Sequence, residues 1–232
     1  MSGYGTLTAL RLRRRMEMYI PEFFREERPE VLWAFVAKHP LGTLIAVTAD
    51  GITANHIPMI WHARDGTPGV LHGHVALANP LWKAIGPEGT VLAIFSGANR
   101  YITPSWYPDR LDHGRVVPTW NYSVVHVHGT IRFFEDPDLV LLHANELVER
   151  QEAARPHPWR VSEAPGDFIN PMLGRIVMFE IAISHAIGKF KASQQRPRSE
   201  RLAVMAAMAA ENIPAEEREE LIWLREEPSQ AP

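Results

Sequence analysis

The period of the apolar positions changes several times along the chain, and those changes divide it into elements. EVLWAFVAKH (30–39) sets Val31, Leu32, Phe35 and Val36 at helical spacing, with Pro29 ahead and Pro40 behind, which predicts a short helix. LGTLIAVT (41–48) and ITANHIPMIW (52–61) flank Asp50-Gly51 and predict a β-hairpin closed by a type I′ turn. A turn at Asp65-Gly66-Thr67-Pro68 leads to VLHGHVA (70–76), a further strand. Asn79-Pro80 opens a short helix, PLWKAI, because Asn caps well and Pro suits the first helical position. TVLAIFSG (90–97) reads as a buried strand, NYSVVHVHGTIRFFE (121–135) as a long one, and RIVMFEIAISHAIG (175–188) as the last. Asp136-Pro137 caps a helix of about 137–153, and helices follow at 199–210 and 214–226. Residues 98–119 show no sustained period and read as a long loop. Such a loop, carrying Tyr101, Trp106 and Tyr107, points to function.

This gives about six strands with helices set between hairpins, without the one-for-one alternation of a doubly wound sheet. The fold class expected is mostly β with helical additions (α+β), an antiparallel barrel. A chain of 232 residues buries a sizeable core without staples. Its lack of cysteine removes disulfides, thiolate metal ligands and a cysteine nucleophile, and predicts a reducing, cytoplasmic setting. No apolar run reaches the ~20 residues of a membrane helix. MSGYGTLTALRLRRR lacks the apolar stretch of a signal peptide, so residues 1–17 read as an extension. The expected division is this extension, a domain over 18–195 and a helical segment over 196–232. The net charge of −3 speaks against a protein that holds DNA mainly through its phosphates.

Candidate chemistry centres on two His-x-His pairs. Side chains at i and i+2 of a strand share a face, so His72 and His74 point together, as do His126 and His128, and His56 lies on a third strand. Three readings stay open: a metal site, polar groups of a ligand pocket, or a wet wall. No nearby carboxylate completes a two-His, one-carboxylate set. Lys189, Lys191 and Ser193 alternate onto one side of an extended segment, and two ammoniums with a hydroxyl suit a phosphate. Trp120, Asn121 and Tyr122 offer stacking and amide recognition of a planar ring. The chain carries no GxGxxG, P-loop, HExxH or GxSxG motif, and Asp65 and Asp109 in their turns are not paired as acid and base.

Several segments in one order resemble a known family. They are Met18-Tyr19-Ile20-Pro21 with Phe23-Phe24, Leu71-His72-Gly73-His74-Val75-Ala76 before Asn79-Pro80, and Tyr101-Ile102-Thr103-Pro104-Ser105-Trp106-Tyr107. Val117-Pro118-Thr119-Trp120-Asn121-Tyr122, His126-x-His128-Gly129 and Gly188-Lys189-Phe190-Lys191-Ala192-Ser193-Gln194 complete the set. Over about residues 18–210 the chain resembles the PaiB-type FMN-binding family, named for negative transcriptional regulators. The resemblance implies an FMN-binding split barrel of the pyridoxamine-phosphate-oxidase-like type, a homodimer, and a flavin in the cleft between subunits. It implies contacts from His56, His74, Val75, Ala76, Asn79, Trp120, Asn121, His128, Lys189, Lys191, Ser193 and Gln194. The phosphate would meet the His74–Asn79 turn and a lysine, and the ring would lie near Ala54, His56 and Ile57. Two departures stand out: Gln195 where the family pattern has Asn, and Leu77 where it has Arg. No catalytic residue and no metal ligand are expected. Three functions follow: a flavin-binding regulator or sensor, a flavin-dependent oxidoreductase, or a haem- or metal-binding barrel. DNA has only weak support as a partner, and a membrane none.

Overall fold

The structure, a computed structural model, describes residues 18–86, 89–108 and 114–224. Residues 1–17, Asp109 and the end of the expected last helix lie outside the described residues. Strands β1 (Arg25–Glu26), β2 (Leu41–Thr48), β3 (Gly51–Pro58), β4 (Ile60–His62), β5 (Val70–Ala76), β6 (Gly89–Ile102), β7 (Thr119–Phe134) and β8 (Ile176–Lys191) make one antiparallel sheet. Its order is β3-β2-β6-β7-β8-β5-β4, with β1 on β8. The first and last members of that path, β3 and β4, are neighbours in sequence, so the sheet curls back on itself. The expected split barrel is what forms.

Helices α1 (Pro29–Lys38), α2 (Leu81–Ala84), α3 (Pro137–Glu152), α4 (Gly166–Leu173), α5 (Arg198–Ala210) and α6 (Ala215–Leu221) decorate it. Alternate positions of the strands fill the barrel: Leu44, Ala93, Phe95, Val125, Val127, Ile131, Val177, Phe179 and Ile181 are essentially inaccessible, joined by Leu32 and Val36 of α1. Each large member contributes about 1.5–3 kcal/mol by leaving water. A second, smaller core lies outside the barrel. Ile102 and Tyr107 pack there against Val204, Met208, Ile213, Leu221 and Ile222, so the C-terminal helices are built onto the end of β6.

Most predicted elements are present, with differences: ITANHIPMIW, expected as one strand, divides at Met59 into β3 and β4, and β1 was not predicted. The hairpin at 48–51 is not type I′, since neither Ala49 nor Asp50 has positive φ; Gly51 alone does, at 117°. Its conformation suits a glycine that follows the turn and opens the next strand. The loop expected at 98–119 is partly strand: β6 passes through a bulge between Ser96 and Asn99 and continues to Ile102, paired with Thr119. A bulge shifts the inside–outside alternation, which is why the period was lost there. Helix α4, unassigned from sequence, carries Pro171 inside it. Among the described residues no helix is long and apolar enough to cross a membrane.

Candidate functional site

Among the described residues, the outer face of the barrel is left without a helical cover along several strands, and strands apolar on both sides need two covers. With Leu44, Ala93 and Val127 pointing inward, their neighbours point out. Register aligns His56, Thr43, Ile94, His126 and Ile187 in one row across β3, β2, β6, β7 and β8. Ala54, Ile45, Leu92, His128 and His185 form the next row. Thr43 Oγ1 and His56 Nδ1 are 3.0 Å apart. Ile45, Leu92, Ile94, His126 and His128 are half-buried, and Val47 and Ile52 beyond them are 72% and 79% exposed. Burial, then the charge of His128, holds His126 below the ordinary imidazole range. The face is apolar with imidazoles set into it.

A second group stands at one end of this face, where β7 begins and β8 ends. Lys189 donates to the carbonyl of Tyr19 at 3.0 Å and lies over the rings of Tyr19 and Tyr122, at 5.6 and 5.5 Å. Lys191 donates to Thr119 Oγ1 and the carbonyl of Trp120. Burial, then the Lys189 charge, pulls the Lys191 ammonium below its usual range. Trp120 and Tyr101 are 53% and 46% exposed, edge to face, with 6.3 Å between their centroids. Asn121, on the other side of the strand, is buried. Its amide donates to Ser193 Oγ at 2.8 Å and to the carbonyl of Leu221 at 2.9 Å. Ser193 is also buried, with φ of 63°, and bonds the Tyr107 hydroxyl. Gln194 accepts from the Ala192 amide at 2.8 Å and donates to the carbonyl of Phe190. Asn121, Ser193 and Gln194 thus shape the turn by which the chain leaves β8 and tie it to α6.

A third group lies at the far end of β5. Asn79 Oδ1 accepts from the Leu81 amide at 3.0 Å, and its amide donates to Asn55 of β3 at 2.8 Å. Ala76 is exposed, while Val75 faces the barrel core with Ile57. His74 lies under α3, 3.1 Å from His143. His72 bonds Glu180 at 3.1 Å in the same layer.

The two His-x-His pairs therefore occupy separate places. His126 and His128 belong to the open face, and His72 and His74 to the α3 contact. Along β8, the partner of His74 is Met178 and the other site lies at Lys189, roughly 36 Å of strand path apart at ~3.3 Å per residue. One copy of the chain sets His56, His126 and His128 on one face and leaves His74 and the two lysines on separate stretches of the β8 ladder. Among the described residues no group of three or more His, Asp or Glu is disposed to hold a metal ion. Sequence reasoning missed Thr43, Ile45, Leu92, Ile94 and His143. The signal for the first four was present: LGTLIAVT and TVLAIFSG are apolar on both faces, and no helix was available to cover the second.

A family model described as "Putative FMN-binding domain" matches residues 18–185. The Bacillus subtilis protease synthase and sporulation protein PAI 2 is 30% identical over 200 residues, which cover 85% of this chain and 92% of that protein. Among solved structures, the flavocytochrome Anf3 of Azotobacter vinelandii aligns with a TM-score of 0.54 at 13% identity, over 76% of this chain and 73% of that one. The FAD and heme binding protein of Mycobacterium smegmatis aligns with a TM-score of 0.53 at 15% identity, over 72% and 73%. At such identities these two share the fold.

Proposed function

This chain belongs to the PaiB-type FMN-binding family, whose cofactor is FMN, and on that premise we propose that it is a homodimeric flavin-binding regulator. The observation that carries the reading is the open sheet face. It is apolar, spans five strands, and has site candidates at opposite ends. A two-fold related copy laid on this face would bring the Lys189–Lys191 end of one subunit toward the Asn79 end of its partner. That completes from two chains what one chain leaves apart.

The residues present suit FMN by their chemistry. Two ammoniums share one strand end; burial lowers Lys191 first and the Lys189 charge second, and a phosphate dianion would offset that second cause. Ile45, Leu92 and Ile94 offer a flat apolar wall, Trp120 and Tyr101 offer rings, and His56, His126 and His128 offer donors to a polar ring edge. Val75 helps only by fixing β5, and Ala76 and Asn79 present the β5–α2 turn. Asn121, Ser193 and Gln194 position the lysines and Trp120. When bound, FMN supplies one- and two-electron redox chemistry.

The regulatory part of the reading draws on the Bacillus subtilis relative, whose name ties it to protease synthesis and sporulation. The net charge of −3 favours a protein partner over direct DNA contact. A second reading, a flavin-dependent oxidoreductase, is favoured by His126: burial keeps the imidazole neutral beside the proposed ring, able to take a proton. NAD(P)H-driven bleaching of bound flavin separates it from the first.

The test uses the full-length protein. Light scattering is expected to give the mass of two chains, and stripped protein is expected to take up FMN stoichiometrically, with riboflavin bound far more weakly. A monomer, or no FMN uptake at tens of micromolar, overturns the proposal.

A further inference from the structure

Helix α3 meets the barrel through a layer of four imidazoles: His62 from β4, His72 and His74 from β5, and His143 from α3 itself. His143 is 2% exposed, and its Nε2 is 3.1 Å from His74 Nδ1. The rings of His62 and His72 are 4.3 Å apart. Two carboxylates border the layer: Glu180 of β8 bonds His72 at 3.1 Å, and Glu146 of α3 stands 3.4 Å from His62. Both are already shared with arginines. Arg64 reaches Glu180 at 2.8 Å, Arg150 reaches Glu146 at 2.8 Å, and Arg132 of β7 stands opposite Glu180 in register. Little negative charge is left over for new cations.

The hydrogen bonding selects a neutral state. His143 Nδ1 is buried without a partner. The arrangement of least cost puts the hydrogen on His143 Nε2, donating to His74 Nδ1, and leaves His143 Nδ1 a bare acceptor. A proton added to His143 makes a buried N–H with no acceptor. A proton added to His74 Nδ1 turns two donors on each other. The fully buried residues of α3 are Val140 and His143, and neither belongs to the barrel core.

We infer that this four-histidine layer is an acid-operated release for helix α3, freeing it from β5 and β8 while the barrel stays folded. The sign follows from the direction of the shifts. Burial, then the charges of His74, His72 and His62, holds His143 down to about 4. Burial also lowers His74, and burial followed by the His72 charge lowers His62. Released, these rings return toward 6.5. Attachment is therefore at full strength above about pH 6.5 and is lost as pH falls from there toward 4. For His143 alone, the shift makes release about 20-fold more favourable at pH 5 than at pH 7. This inference does not depend on the flavin reading.

The test is hydrogen–deuterium exchange of the full chain between pH 7.5 and 5, with rates corrected for the intrinsic effect of pH. Protection of 137–152 is expected to fall about 20-fold or more, while 119–134 keeps its protection. His143→Gln keeps a donor near His74 Nδ1 but cannot ionise, and is expected to flatten the fall. His143→Met, which fills the same space and likewise cannot ionise, serves the same purpose if His143→Gln does not fold. Protection of α3 that ignores pH, that falls in step with β7, or that falls equally in the foldable variant overturns the inference.

Discussion

Glu220 is the residue on which the docking of α6 turns, and replacing it by Gln is a demanding trial of the structural account. Its carboxylate is nearly enclosed and accepts from the Ala98 amide at 2.7 Å, from Lys38 at 3.0 Å and from His39 at 3.0 Å. A Cβ at Gly97 would collide with it, so only glycine lets the β6 bulge come this close. Burial alone would raise its pKa, but the hydrogen bonds of His39, Lys38 and Ala98 hold it at about 2. Against an ordinary value of 4.5, that is about 3 kcal/mol of stability for the ionised group at pH 7, at 1.36 kcal/mol per unit. Lys38 is itself 40% exposed, so its pair adds under about 1 kcal/mol of this; the rest belongs to His39 and the amide. Glu220→Gln keeps an acceptor for Ala98 and loses the charge, so it is expected to cost about 2–3 kcal/mol in urea denaturation at pH 7. Because the folded pKa is depressed, this stability is present above 4.5 and is lost as pH falls through 4.5 toward 2. The gap between the wild-type protein and the variant is expected to narrow by about 1.4 kcal/mol by roughly pH 3.5. A variant of equal stability at pH 7, or a gap that stays constant as pH falls, refutes the reasoning.

Three further outcomes are expected. Ile94→Glu puts a charge in the middle of the open face; light scattering should then give a monomer with FMN uptake lost, while the fold read by circular dichroism is kept. Lys191→Ala should weaken FMN binding by about 10-fold or more and leave riboflavin binding nearly unchanged, because a charged hydrogen bond contributes about 1.5–3 kcal/mol; equal loss for both ligands would place the phosphate elsewhere. Asn121→Ala removes bonds to Ser193 and to the Leu221 carbonyl and should lower thermal stability by about 1–3 kcal/mol, with FMN affinity changing less than in Lys191→Ala.

Local signals carried most of the fold. VLHGHVA became β5 over the predicted residues, and Asp136-Pro137 starts α3 with Asp136 accepting from the Asp138 amide at 2.9 Å. What failed was non-local. The bulge in β6 hides a strand inside an apparent loop, and the pairing of Tyr101 with Trp120 could be found only across that bulge. The site was legible as residue types and not as places. Period 2 correctly put His72 beside His74 and His126 beside His128, but which face α3 would cover depends on the register of β8 against both β5 and β7. Asn121 read as a ring contact because an amide after a tryptophan suits one. Its partners, Ser193 and the Leu221 carbonyl, lie 72 and 100 residues away, and no pattern near Asn121 announces them.

The turn after β8 bears on how substitution data for this protein should be read. Position 193 asks for two things at once: a backbone in the left-handed region and a side-chain oxygen for Asn121. Glycine meets the first demand and fails the second, threonine the reverse, and aspartate and asparagine come nearest to both. A saturation scan scored only by survival would find a position nearly as intolerant as a nucleophile, and an engineer would guard it as one. The intolerance is architectural. Thermal stability and flavin affinity measured side by side on the same variants would separate the two kinds of indispensability.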